Sequence, residues 1–362
     1  MVETFLPEPS CWLLAPRLRG SRIGEADPRG VTEEAIETTE RQPPSLSLPL
    51  TCPREAEAAS LRRRQEGGGE SKRGASRSVR QAFVEAASVL RQAGIETPEL
   101  DARLLLCDVA GLTHEAYIAR AGDELAPEVA ARLGASIARR LKREPVSRIT
   151  GAREFYGRRF LVDPHALDPR PDTESLIEGA LELVERNGWR KRPLELLDLG
   201  TGTGCILITL LAELPQATGL GTDISSGALA LAAANARRLG VADRTSFIVG
   251  DWLEAIAGEF DLILANPPYL AASEIAPLSK EVAEFDPRRA LDGGRDGLDA
   301  YRRIAARAGQ VLAPPGRILV EIGATQAEAV AGILRGAGLR LDEAQGIRPD
   351  LAGRPRSVMA GM

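Results

Sequence analysis

The sequence predicts an α/β protein: a doubly wound, mostly parallel sheet with helices on both faces, preceded by a small helical domain. Three observations carry this. From about residue 195, apolar strand-like runs alternate with helical runs, as repeated βα units do. A glycine-rich turn, "LDLGTGTG" (Leu197 to Gly204), closes the first of those strands, where open α/β sheets bind ligands. Upstream, from Ser78, apolar residues recur at helical spacing.

Composition sets the bounds. The 362 residues suit about two domains at ~150 residues each. The net charge of −5 provides no global basic field for nucleic acid. A local basic run, "ARRLKREPVSR" (Ala138 to Arg148), reads as a solvated helix end rather than an RNA contact. The four cysteines, Cys11, Cys52, Cys107 and Cys205, form no C-x-x-C pair, and only His114 and His165 can add imidazoles. A reducing cytoplasm is therefore expected, with neither a metal site nor a disulfide framework. No apolar run approaches the ~18–20 residues of a membrane span. The first twenty residues lack the basic start and apolar stretch of a secretory signal.

The elements follow in order. Residues 1–76 hold 8 of the 24 prolines and "RRRQEGGGESKRGASR", with no sustained periodicity. They bury too little apolar surface to offset their ordering entropy and are expected to be a disordered extension. A helical domain is expected over 77–145. In its first helix Val79, Phe83, Ala86 and Leu90 share a face and Gly94 stops the run; in its second, Thr97 is the expected N-cap, Pro98 the first helical residue and Gly111 the end. A linker over 146–171, "SRITGAREFYGRRFLVD", alternates around Gly151 and Gly157 and predicts a β-hairpin. Asp172 or Thr173 then caps a helix opening the domain over 172–362. There the strands are "LELLDLG", "ATGLGTDIS", "TSFIVGD", "FDLILA", "GRILVEIG" and a last edge strand, "SVMAG".

The first turn and the next two strand ends form an expected cofactor site. Gly200, Gly202 and Gly204, with Thr201 and Thr203 between them, allow a sharp turn and close approach of a ligand to the backbone. Asp223, ending the second strand, can accept bonds from both ribose hydroxyls. Asp198 would repel a pyrophosphate and can attract an α-ammonium, which favours S-adenosylmethionine over NAD; the plainer reading of Asp198 is a turn cap. Asp251 can reach an adenine amino group and Trp252 can stack on the ring, although plain packing also accounts for Trp252.

The fourth strand stops at "NPPY". Asn266, Pro267, Pro268 and Tyr269 lie at a carboxyl end beside the first strand, at the switch point of such a sheet. A planar amide nitrogen is a poor nucleophile because its lone pair is delocalised. The Asn266 side-chain oxygen and the Pro267 carbonyl can accept its two hydrogens, the prolines hold the second acceptor rigid, and Tyr269 can stack on the planar group. Asn266 also borders the cofactor.

These features, with "ETPELDARLLL", "PVSRITGAREFYG", "PRPDTE", "LDLGTGTGCI", "TDIS", "NPPYL", "ALDGGRDGL" and "LVEIGATQ", resemble the HemK/PrmC family of glutamine-N5 methyltransferases that modify class I peptide release factors. The likeness covers about residues 78–361. It implies a seven-stranded, Rossmann-like class I methyltransferase sheet and methyl transfer from S-adenosylmethionine to the glutamine of a Gly-Gly-Gln tip, supporting translation termination. Asn266, Pro267, Pro268 and Tyr269 would hold the substrate amide and Phe155 would wall its pocket. Arg170, Asp172 and Glu174 would lie at the domain junction, Glu174 near the site's mouth, and the helical domain would grip the release factor. Asp168 stands where the pattern has an aliphatic residue, and Asp286 where a glutamate is usual. A monomer is expected, with no membrane or direct nucleic-acid partner. The alternative is an amino methyltransferase acting on adenine or guanine in DNA or rRNA, since NPPY is shared with such enzymes.

Overall fold

Capping and buried faces set the N-terminal helices. The computed structural model describes residues 77–254, 256–350 and 352–362. The expected extension over 1–76, with Cys11 and Cys52, lies outside the described residues. Helix α1 (Val79–Gln92) starts at Ser78, whose hydroxyl accepts from the Gln81 N–H while the Gln81 side chain accepts from the Ser78 N–H. Helix α2 (Pro98–Ala110) ends at Gly111, in the left-handed region. The expected cap at Thr97 takes another form: its hydroxyl donates to Asp101 at 2.9 Å, one turn on, instead of accepting from the backbone. Two further helices, α3 (His114–Ala119) and α4 (Pro127–Leu141), complete a cluster around Leu90, Leu105, Leu106, Leu133 and Ile137.

The basic run is a solvated helix end only in part: Arg139 and Lys142 are exposed at the end of α4, whereas three other arginines are engaged. Arg140 is 7% exposed and donates to Asp101 at 2.7 Å, and its guanidinium also reaches Glu281 at 3.3 Å. Arg143 donates to the Ala93 and Gly94 carbonyls, and Arg148 pairs with buried Asp286 at 2.9 Å. The reading failed because the acids that neutralise these arginines are distant in sequence.

After α5 (Val146–Thr150) come β1 (Ala152–Phe155) and β2 (Arg158–Leu161), paired antiparallel. The hairpin was expected, but its first residues, from Ser147, are helical instead. Tyr156 and Gly157 both have positive φ, 50° and 68°, as a two-residue hairpin turn of matching twist requires. The chain then enters α6 (Glu174–Arg186) through a single 3₁₀ turn, Pro171–Thr173. Thr173 stands at the N-cap position of α6 but makes no side-chain capping bond, because its hydroxyl accepts from Asn266, while Asp172 pairs with Arg356.

The remaining elements alternate as the periodicity predicts: β3 (Glu195–Leu199), α7 (Cys205–Glu213), β4 (Thr218–Asp223), α8 (Ser226–Arg238), β5 (Thr245–Val249) and β6 (Phe260–Ala265). Two short helices, α9 (Ala272–Ile275) and α10 (Lys280–Ala283), precede α11 (Asp299–Val311), β7 (Leu312–Glu321), α12 (Ala327–Gly336), β8 (Arg340–Leu341), β9 (Ile347–Pro349) and β10 (Pro355–Gly361). The sheet order is β5-β4-β3-β6-β7-β10-β8, with β9 also on β10. Strands β3 to β7 run parallel, and β10 runs antiparallel to its neighbours. The tail is thus no edge strand: β10 has β7 on one side and the short strands β8 and β9 on the other. Both faces are buried. Leu196, Leu262, Leu264 and Leu319 pack on one side with α6 and α7, and their neighbours Leu197, Ile263, Ile318 and Val320 on the other with α11 and α12. No helix among the described residues is long and apolar enough to cross a membrane.

Candidate active site

Strand register gathers the expected residues. Leu199 pairs with Thr222 on one side and Ala265 on the other. The chain therefore leaves β3, β4 and β6 at one edge, and Gly200, Asp223 and Asn266 emerge together. They open on a cavity of about 400 Å³, within the roughly 300–1,000 Å³ of small-molecule sites. Gly200, Thr201, Gly202, Thr203, Asp223, Asp251, Trp252, Asn266 and Pro268 line it. Asp198, Gly204, Pro267, Tyr269 and Phe155 do not.

The turn after β3 explains its composition. Gly200, Gly202 and Gly204 have φ of 67°, 55° and 79°, where a side chain is strained. A Cβ on Gly204 would also lie 2.6 Å from Ile208 Cδ1, so this glycine serves packing of α7. One Asp223 oxygen accepts from the Gly202 N–H at 3.0 Å and the other from the Ser225 N–H at 2.8 Å. Each keeps a lone pair for a ligand hydroxyl. Trp252, at φ 53°, lies with its ring edge against Gly200, and its neighbour Asp251 is held by Arg303 at 2.6 Å.

Asp198 departs from its expected place at a ligand ammonium. It is 0% exposed and accepts from the Thr201 hydroxyl at 2.6 Å. Burial pushes its carboxyl up to about 7, with the Thr201 bond opposing the rise. It holds the turn from beneath, closer to the plainer reading of a turn cap.

On the opposite wall, Asn266 Nδ2 donates to Thr173 Oγ1 at 3.0 Å. Among the described residues no hydrogen bond ends on Asn266 Oδ1 or on the Pro267 carbonyl. Pro267 is buried and Tyr269 partly buried. The loop is gripped from behind: the Leu270 N–H donates to Leu291, the Gly293 N–H to Leu270, and Gln326 Nε2 to the Tyr269 carbonyl at 2.9 Å. Phe155 is 1% exposed and packs edge-on against Phe160 in the core. It is thus away from the pocket wall expected for it, because its side chain joins the buried cluster on one face of the sheet. Arg170 and Asp172 do lie at the junction, paired with Asp286 and Arg356. Glu174 accepts from the Tyr156 N–H at 2.8 Å and is not among the cavity-lining residues. Asp168 is buried and accepts from the Ser147 hydroxyl at 2.6 Å, so a polar bond replaces the apolar junction contact of the family pattern.

Thr173 lines the cavity and was missed as a site residue, and Glu321, a buried acid on β7, was missed altogether. Thr173 read only as a helix cap. Glu321 carried a usable signal, an acid closing the apolar run "GRILVEIG". It is 1% exposed at the end of β7, and burial pushes its carboxyl up to about 7.

A glycine turn at the first strand end, an acid with spare lone pairs at the second and an NPPY loop beside them at the fourth define a class I S-adenosylmethionine-dependent methyltransferase. The residues present fit that cofactor: the turn admits backbone contact, Asp223 suits a ribose, and the first turn of α7 supplies N–H groups for a carboxylate. Residues 81–151 match the PrmC N-terminal domain and residues 181–283 the methyltransferase small domain. The release factor glutamine methyltransferase of Rhodospirillum rubrum is 51% identical over 271 residues, covering 75% of this chain and 81% of that protein. Those of Cereibacter sphaeroides and Bradyrhizobium diazoefficiens are 49% and 45% identical, over 75% and 78% of this chain and 94% of each relative. The chain belongs to the release factor glutamine methyltransferase family.

Proposed function

We propose that this enzyme methylates the side-chain amide nitrogen of the glutamine in the Gly-Gly-Gln tip of class I release factors, in the cytoplasm, and that residues 77–145 help recognise that protein. The observation that carries the reading is the pair of oxygens without a donor, Asn266 Oδ1 and the Pro267 carbonyl, on one loop beside the cofactor cavity. When bound, S-adenosylmethionine supplies a methyl group already activated on a sulfonium. The two oxygens accept the two hydrogens of the substrate amide and orient its nitrogen. Because the prolines and the bonds behind them hold these acceptors, little reorganisation accompanies charge development. Pro268 and Tyr269 exclude water from the planar amide. Gly200, Thr201, Gly202, Thr203, Asp223, Asp251 and Trp252 hold the cofactor. The nucleic-acid alternative loses support because the basic run from Arg139 to Arg148 is engaged with acids and carbonyls.

Incubation of the enzyme with methyl-labelled S-adenosylmethionine and a purified release factor tests this. Label is expected on the Gly-Gly-Gln peptide, by mass, and none when that glutamine is alanine. Continued labelling of the alanine variant, or labelling of DNA or rRNA instead, would overturn it.

A further inference from the structure

A helix N-cap is commonly Ser, Thr, Asp or Asn, whose side chain bonds the helix's own first N–H groups. Helix α12 departs from this. Its N-cap residue is Gln326, and the Gln326 side chain reaches to the NPPY loop instead. We infer that Gln326 is a positioning residue for that loop: its amide ties three backbone segments together and fixes Tyr269, and with it the two acceptors that precede it, where methyl transfer needs them. The inference rests on the roles given to Asn266, Pro267 and Tyr269 above.

The partners leave the amide one orientation. Gln326 Oε1 accepts from the Gly323 N–H at 3.0 Å. Nε2 donates to the Tyr269 carbonyl at 2.9 Å and to the Gly297 carbonyl at 3.3 Å. All three partners are main-chain groups, one N–H that only donates and two carbonyls that only accept. Rotation of the amide by 180° would set its oxygen against two carbonyl oxygens and its N–H₂ against an N–H. The residue is held at its root as well, because the Gln326 N–H donates to the Gly323 carbonyl at 2.9 Å. The packing around the amide is close. A Cβ on Gly297 would lie 2.7 Å from Gln326 Nε2, and one on Gly323 would lie 2.9 Å from Oε1. The same Cβ on Gly323 would lie 3.5 Å from Tyr269 Cδ2, so the Tyr269 ring lies against the backbone that Gln326 fixes. Tyr269 is therefore held at two points, its carbonyl by Nε2 and its ring by the Gly323 turn. Gln326 is not among the cavity-lining residues, so it acts on the reaction through the loop and not by touching cofactor or substrate. The two bonds from Nε2 join it to residues 57 and 29 positions back in the chain, which makes "NPPYL", "ALDGGRDGL" and "LVEIGATQ" one unit.

The test compares Gln326→Glu and Gln326→Met with Asn266→Ala, measuring kcat and KM for the release factor at saturating cofactor, and cofactor Kd by calorimetry. Glu keeps the size and the acceptor for Gly323 but turns an oxygen toward the two carbonyls. Met keeps the length and makes none of the three bonds; it carries no charge, so it serves if Glu does not fold. In either variant kcat is expected to fall by ~10–100-fold, the scale of a reacting group misplaced by about 1 Å, with KM and cofactor Kd each within about threefold of wild type. Wild-type kcat in a folded variant while Asn266→Ala is inactive would overturn the inference and leave the role of the loop standing. A loss of cofactor affinity as large as the loss of kcat would also overturn it, because Gln326 would then serve the fold of the whole site. Full turnover in Asn266→Ala would overturn the role given to the loop, and the inference with it.

Discussion

At the scale of single residues, the site depends on which polar atoms are left free. Asn266→Ala removes one preorganised acceptor and leaves the Gly200 to Gly204 turn and Asp223 intact. Turnover is expected to fall by at least ~100-fold with cofactor affinity little changed, measured by methyl transfer and calorimetry. Asp198 makes a different kind of prediction. Its carboxyl ordinarily titrates at 3.8 and is raised to about 7 by complete burial. Between those values the folded protein binds a proton that the unfolded chain has released. Stability from this group is therefore fully present below pH ~4 and is lost as pH rises toward 7, by about 1.4 kcal/mol per pH unit across the window. Asp198→Asn retains an acceptor for Thr201 and removes the titration. The variant is expected to gain stability relative to wild type between pH 5 and pH 8 in denaturant unfolding of the cofactor-free protein. Parallel profiles would exclude this account.

At the scale of elements, the NPPY loop is held by the segment "ALDGGRDGL". A Cβ placed on Gly293 would lie 2.6 Å from the Pro268 carbonyl oxygen, and one on Gly297 would lie 2.4 Å from that of Tyr269. These neighbours are backbone and cannot rotate away. Gly293→Ala is expected to cost about 1–3 kcal/mol in thermal or denaturant unfolding, as overpacking does, and to lower turnover by displacing the loop. A variant with wild-type stability and turnover would show that the two segments move independently. The glycines were visible in the sequence, but what they touch was not, because the contact joins backbones about 25 residues apart without any side-chain pattern.

At the scale of the whole molecule, acids after β6 neutralise arginines of the helical segment and the linker. Asp286, 8% exposed, receives Arg148 and Arg170, while Glu281 receives Arg140 and Arg143. Asp286→Ala leaves a buried guanidinium without its partner and is expected to cost ~3–5 kcal/mol. Arg159→Ala breaks an exposed pair with Asp108 and is expected to cost under ~1 kcal/mol. Chemical denaturation of the two variants measures the difference, and similar losses would contradict the role given to the seam. These ion pairs join the helical segment and the linker to the segment after β6, while the helical segment and the sheet each pack around hydrophobic clusters of their own.

Local pattern by itself determined the order of βα units, the glycine turn, the acid at Asp223, the NPPY loop and the family likeness. Each is written in residues adjacent in the chain, where periodicity and backbone preference act. Tertiary structure alone decided that Asp198 lies beneath the turn, that Phe155 faces the core, that the terminal strand is flanked on both sides and that the basic run is neutralised. It also decided that Thr173 meets Asn266 across 93 residues. Those outcomes depend on strand order and on which buried polar groups find partners, and a buried group must be satisfied by whatever the fold brings to it, however distant in sequence.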